Sequence, residues 1–264
     1  MDWIEGYTVE ERDGFAFAKV VPGPVCPHCR GDGRRSLERD GIKRVGRCRC
    51  QVVPDRVKLY NAANVPARHA RCTVESFETK AARVTVSGVR AWLDTYEPHR
   101  GDQHGLIIYG LPGRGKTHLA CAMLRELVFR HGVPARFVEF THLLATIREG
   151  YDRNEGEARL LGPLVRVPIL VIDELGKGKG TDFEKTILDE IISRRYNARS
   201  GPIIATTNFP ARSPKPRRDG DSLATGAVTT LPEVLGDRVW SRLAEGHKFV
   251  EAVGEDYRIV KGKN

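Results

Sequence analysis

Residues Gly110-Leu111-Pro112-Gly113-Arg114-Gly115-Lys116-Thr117 fit the pattern G-x-x-x-x-G-K-[ST] at every fixed position. The spacing is that of a phosphate-binding loop. Glycines allow a tight turn that brings several backbone N–H groups close to a polyphosphate. Lys116 is placed to reach the β- and γ-phosphates of ATP, and the Thr117 hydroxyl to coordinate Mg²⁺. A following helix would aim its positive end at the same anion, and His118, in its first turn, joins the set expected around the nucleotide.

Such a loop needs acidic partners. Pro168-Ile169-Leu170-Val171-Ile172-Asp173-Glu174 reads as a buried strand that presents two carboxylates at its C-terminal end. Asp173 is the candidate Mg²⁺ ligand, and Glu174 the group that orients and polarises an attacking water. Asn208, at the end of the apolar run Pro202 to Thr207, is spaced to sense the γ-phosphate; the alternative is a turn residue. Arg238 and Arg242 lie four apart, on one helical face. One is a candidate finger for a neighbouring subunit's nucleotide, and the alternative is a pair of surface ion-pair formers.

A second chemistry lies upstream. Cys26 and Cys29 are spaced C-x₂-C, and Cys48 and Cys50 follow as C-x-C after eighteen intervening residues. Four thiolates close a tetrahedral structural zinc site, and His28 is an alternative ligand. Four protein ligands leave no open position, which argues against catalytic zinc. Arg30, Arg34, Arg35, Arg39, Lys43, Arg44, Arg47 and Arg49 crowd the same segment, suiting nucleic acid, an acidic partner or a solvated face. Cys72 and Cys121 stand apart, and Cys121 is expected to be a core thiol.

The elements that must position these groups follow from the apolar pattern. Leu106 to Tyr109 reads as a buried strand ahead of the loop. Lys116 to Arg130 reads as a helix, with Gly132 and Pro134 as its stop. Ala81 to Tyr96 is an expected helix presenting Val84, Val89, Trp92 and Leu93. Ala135 to Phe140 reads as a strand, and the helix after it as capped by Thr141. Asp182 to Arg199 and Leu235 to Leu243 read as helices, and His247 to Val253 as a last strand. Phe209 to Thr230 is expected to be a mobile, proline-rich loop, basic at Lys215, Arg217 and Arg218. Residues 1 to 25 yield no assignment.

The 264 residues and their 40% hydrophobic content exclude global disorder. No apolar run approaches the ~18 residues of a membrane span. The expectation is a cytoplasmic protein, with no membrane partner, whose six cysteines serve metal ligation or packing rather than disulfides. The net charge of +9 suits nucleic acid without demanding it.

Taken together, GLPGRGKTHLA, VIDELG, ATTN and GDRVWSRL resemble the AAA+ ATPases of the DnaC helicase-loader and IstB transposition-helper family. The likeness runs from about Val65 to Arg258 and includes VPARHARCTVESF and the closing GEDYR. It implies an α/β fold: a five-stranded parallel sheet, order 5-1-4-3-2, flanked by helices and without a C-terminal helical lid. It also implies a division into a zinc-binding module over 1–60 and an ATPase domain over 61–264. Arg242 matches the family's finger position, with Arg238 in reserve. Arg148 and Arg153 fall where the family carries its initiator-specific insertion, which implies single-stranded DNA contact. The four-cysteine segment resembles zinc-bearing domains of some helicase loaders, which points to a replicative helicase as partner and to self-association through the ATP site. The competing expectation is an ATPase helper of a DNA transposase. A P-loop kinase and a DNA-binding module with a vestigial nucleotide site fit less well, given Asn208, the paired arginines and the intact acid motif.

Overall fold

Five short apolar runs become one parallel sheet. They are β5 (Gly105–Tyr109), β6 (Ala135–Glu139), β7 (Ile169–Asp173), β8 (Ile203–Thr207) and β9 (His247–Glu251), ordered β6-β7-β8-β5-β9. Counting only these five, that is the expected 5-1-4-3-2. The computed structural model describes residues 6–39, 42–77, 82–98, 100, 102–212 and 228–257. Most of the expected loop at 209–230, with Lys215, Arg217 and Arg218, lies outside them, as does Arg258.

Every residue of β7 and β8 is buried, because helices cover both faces of the sheet. Alternate side chains of each strand enter opposite layers. Leu106, Ile108, Ile169, Val171 and Ile204 face one core, with α2 (Arg83–Asp94) and α3 (Lys116–His131). Ile107, Leu170, Ile172, Ile203 and Ala205 face the other. That second layer is built by α4 (Phe140–Asp152), α5 (Glu157–Arg166), α6 (Asp182–Ala198), α7 (Leu231–Leu235) and α8 (Asp237–Gly246). Arg195 of α6 is buried and donates to six carbonyl oxygens at the end of α5 and the starts of β7 and β8, which fixes the strands' N-terminal ends.

Residues before the cysteines also join this core. β1 (Tyr7–Arg12) and β2 (Phe15–Val20) pair antiparallel through a turn at Asp13-Gly14, both at positive φ. Ala16 and Ala18 enter the α3 layer, and Tyr7 stacks on Phe129 with ring centroids 3.7 Å apart. Val57 and Tyr60 of α1 (Val52–Asn61) pack there too. Between them, β3 (Arg34–Arg39) and β4 (Ile42–Arg47) form a separate antiparallel ribbon.

Several local expectations are corrected. The helix after β6 starts at Phe140 with Glu139 as its cap residue; Thr141 lies inside it and its hydroxyl donates to the Glu139 carboxylate instead of capping. The helix expected over Ala81 to Tyr96 spans Arg83–Asp94, with Val84 75% exposed and Thr85 buried on the inner face. The single helix expected over Leu235 to Leu243 is two, α7 and α8, broken at Gly236 with φ 80°. Helix α5 was not anticipated, since Gly162 and Pro163 weaken its helical signal.

Candidate nucleotide site and candidate zinc centre

The phosphate loop joins β5 to α3. Gly113 and Gly115 both take left-handed φ, 76° and 71°. A Cβ at Gly115 would meet the Phe77 ring, and one at Gly113 the Asp256 carboxylate, so neither position accepts a side chain. The Tyr257 N–H donates to the Gly113 carbonyl at 3.0 Å, and Arg114 Nη1 to the Ala252 carbonyl at 3.2 Å. The segment after β9 therefore lies along the outside of the loop. Lys116 Nζ donates to the carbonyls of Gly110 and Leu111, both at 2.8 Å, which holds its ammonium inside the loop. Pro112 follows the exposed Leu111 at the crest.

The Thr117 hydroxyl donates to both carboxylate oxygens of Asp173, at 2.9 and 3.1 Å. Asp173 is buried, and burial pushes its carboxyl above the usual carboxylate value against hydrogen bonds from Thr206 and Thr117. A hydroxyl and a buried carboxylate in contact at the mouth of an amide-lined loop form a hard-oxygen set that fits Mg²⁺ beside a polyphosphate. Glu174 follows at φ 56°, outside the strand. Gly110 N–H donates to the Thr207 carbonyl at 3.2 Å, which sets the exposed Asn208 beside the loop. A cavity of about 730 Å³ opens next to Thr117, Asp173 and Glu174 and is walled by Glu139, His142 and Lys177.

Sequence reasoning missed two groups here. Thr206 Oγ1 donates to Asp173 Oδ1 at 2.5 Å and accepts the Glu174 N–H at 3.0 Å. The signal available for it was the pair of hydroxyls, Thr206 and Thr207, that ends the apolar strand. Lys177 Nζ donates to Glu174 Oε2 at 2.5 Å, an ion pair three residues apart.

Other expected residues have different surroundings. His118 directs its imidazole contacts to Cys72 Sγ (3.3 Å), Ser76 Oγ (3.2 Å) and the Thr73 carbonyl (3.0 Å), tying the segment before α2 to the loop. Arg238 and Arg242 both pair with Asp189 of α6, each at 3.4 Å. Within one chain they take the ion-pair arrangement. Arg148 lies over the Phe183 ring, and Arg153 pairs with Glu155 at 3.3 Å.

Far from this edge, Sγ atoms of Cys26, Cys29, Cys48 and Cys50 all lie within 4.8 Å of one another. Cys26 and Cys48 are 3.7 Å apart, and Cys29 and Cys50 3.4 Å. A tetrahedron with Zn–S arms of 2.3 Å has edges of about 3.8 Å, so the four sulfurs fit zinc. Backbone N–H groups of Cys29 and His28 pull the Cys26 thiol down to about 7. Cys50 accepts from Gln51, yet the sulfur of Cys29, burial, and the sulfurs of Cys48 and Cys26 push it up to about 12. Four thiols this close ionise together only around a cation.

The profile of a family described as "IstB-like ATP binding protein" matches residues 54–259. The chain belongs to this family. Relatives of the IstB-like protein include the replicative helicase loader DnaC of Escherichia coli strain K12, 26% identical over 196 residues, which are 73% of this chain and 71% of the relative. The DnaC of Buchnera aphidicola subsp. Baizongia pistaciae is 35% identical over 145 residues, 54% of this chain and 51% of that one. A crystal structure of the DnaC helicase loader superposes with a TM-score of 0.57 at 26% identity, covering 70% of this chain and 98% of that chain. A crystal structure of DnaI shares the fold at a TM-score of 0.54 and 20% identity, over 74% and 94% of the two chains. Among the described residues no helix is long and apolar enough to cross a membrane.

Proposed function

We propose that this IstB-like protein is an ATP-dependent loader of a replicative DNA helicase. The observation that carries the ATPase part is the contact between the Thr117 hydroxyl and Asp173 with Glu174 alongside. In this reading the loop amides of Gly110 to Thr117, with His118 behind them, and Lys116 bind the triphosphate. Thr117 and Asp173 hold Mg²⁺, which would neutralise charge on the β- and γ-phosphates when bound. Glu174 accepts a proton from the attacking water and Asn208 orients it. Arg242, with Arg238 beside it, leaves Asp189 to reach a neighbouring subunit's nucleotide, so that self-association completes the site. Arg148 and Arg153 on the α4 side face single-stranded DNA.

The likeness to DnaC over most of that loader's length favours the helicase as partner. The zinc-binding unit around Cys26, Cys29, Cys48 and Cys50 holds it, and the domain over 61–264, onto which β1, β2 and α1 of the expected 1–60 module pack, turns over ATP as a cytoplasmic switch. The resemblance to IstB transposition helpers favours a second reading, in which the same ATPase serves a transposase.

Lys116→Ala is expected to abolish nucleotide binding, and Glu174→Gln to retain binding while turnover stops. Tagged Glu174→Gln protein charged with ATP should capture a hexameric helicase from native lysate, and fail to do so when Cys26 and Cys29 are replaced. Capture of a transposase in its place would select the second reading, and normal turnover by Glu174→Gln would overturn the assigned chemistry.

A further inference from the structure

Residues 30 to 49 carry eight basic side chains against three acidic ones, a net of +5, more than half of the chain's +9. A zinc ion held by four thiolates adds two negative charges and still leaves an excess of three positive ones. Four of these cations are not spent inside the protein. Arg30, Arg34, Arg44 and Arg49 are exposed and, among the described residues, form no ion pair; in the same segment Arg47 pairs with Asp55 at 2.6 Å. On the ATPase core the pattern is different, for Arg90, Arg130, Arg194 and Arg242 all have carboxylate partners.

The shape matters as much as the charge. β3 and β4 pair only with each other, and Val45 on the ribbon is 75% exposed. Arg34 lies opposite Arg47 in the ladder, and Arg44 falls three residues before Arg47, so cations emerge from both faces. The sulfur cluster anchors the base, where Cys29 and Cys48 are buried.

We propose that the β3–β4 ribbon is a duplex-DNA surface that grips the two phosphate backbones. The major groove of B-DNA admits a two-stranded ribbon and is flanked by phosphates on both sides. Seven of the eight cations are arginines, whose planar fork matches a phosphate in a way that an ammonium does not. Single-strand binders add aromatic platforms for the bases, and residues 26 to 50 contain no Phe, Tyr or Trp. A protein partner would need apolar anchors, and the described ribbon exposes Val45 alone among large apolar side chains. The loader reading gives the helicase to the same zinc unit; the ribbon strands take the duplex here and leave the sulfur base and its flanks to the helicase, and the single-strand contact assigned to α4 is separate.

The test uses the full chain with Arg34→Glu and Arg44→Glu combined. Zinc content and ATP affinity, measured first, should match the unmodified protein, because both arginines are exposed. Fluorescence anisotropy then follows binding to a labelled duplex of about 20 base pairs, and to one of its strands, across a salt series. The expected result is a duplex affinity at least about tenfold lower, with the slope of log K against log salt reduced by about two, near 0.9 for each phosphate that is no longer neutralised. Single-strand affinity should change much less, and Arg34→Lys with Arg44→Lys should keep most of the duplex affinity. An unchanged duplex affinity and slope overturns the proposal. Equal weakening on duplex and single strand overturns the assignment to duplex. Failure of helicase capture with duplex binding intact overturns it also and gives the ribbon to a protein partner; none of these outcomes bears on ATP binding or turnover.

Discussion

The nucleotide edge and the cysteine ribbon solve the same problem in opposite ways. Both must hold charged or reactive groups at fixed spacing. At the nucleotide edge the scaffold is a sheet buried on both faces, and the candidate groups take their places from the end of β7 and the start of α3. In the ribbon the described residues of 26 to 50 bury only Cys29, Gly33 and Cys48. Among the described residues no apolar core is available there, so the sulfurs themselves are the scaffold. Polar groups at the sheet edge are therefore tuned by side chains of neighbouring elements, such as Thr206 on Asp173, whereas the clustered sulfurs are tuned within their own segment, Cys26 by backbone N–H groups and Cys50 by Gln51 and the other sulfurs.

The sharpest way to break this contrast is to remove a sulfur. Cys29→Ser should take zinc from about one equivalent to none, as measured by metal analysis. Because metal binding in such a unit is also its folding free energy, on the order of 10 kcal/mol, the β3–β4 amides should lose all protection in hydrogen exchange. Amides of β5, β7 and β8 should keep theirs, and ATP affinity should hold. Protection that survives in a zinc-free ribbon would show that chain packing suffices and that the two regions are alike.

That difference also governs what could be read from the sequence. The central strands, the loop and the acid motif were legible because a buried parallel strand has a simple signal, an apolar run ending in a polar group, whereas the sheet order came only with the family resemblance. Lys116, Thr117, Asp173 and Glu174 share one edge because β5, which leads through the loop into α3, and β7 are parallel strands of one sheet, with β8 between them. The sulfurs were legible from spacing. The hairpin β1–β2 was not, since its burial rests on two alanines that enter the core and on Tyr7, which meets Phe129 across more than a hundred residues of chain. Nor did the spacing of Arg238 and Arg242 reveal their shared partner, Asp189, which comes from another helix. Thr141 looked like a cap because helix starts are read locally, while Glu139 at the end of β6 takes that place. Pairings made across elements are what a one-dimensional pattern omits.

A smaller perturbation tests whether the sheet edge is tuned as described. Thr206→Val keeps shape but removes the donor to Asp173 and leaves the Glu174 N–H without its acceptor. An unsatisfied buried group of this kind costs about 1–3 kcal/mol. The metal requirement for nucleotide binding should rise about tenfold, read by titrating Mg²⁺ against a fluorescent ATP analogue, while metal-free nucleotide affinity stays put. Thr206→Ser should restore the original requirement. If valine leaves the Mg²⁺ titration unchanged, Asp173 is oriented by Thr117 and the strand alone.

Lys177 should give the smallest effect, and its sign is the informative part. Its ammonium holds one oxygen of the Glu174 carboxylate, and that carboxylate in turn raises the lysine's pKa. A carboxylate oxygen engaged by a cation is held away from other partners, including an incoming water. Both side chains are partly exposed, so the pair contributes no more than about 1 kcal/mol. Lys177→Met should therefore raise basal kcat by at most about fivefold with KM unchanged, and Lys177→Arg should behave as the parent does. A fall in kcat for Lys177→Met would mean that the lysine stabilises developing phosphate charge. The ion pair at Glu174 would then mark a working arrangement of the edge, and tuning by neighbours would extend to the reacting atoms themselves.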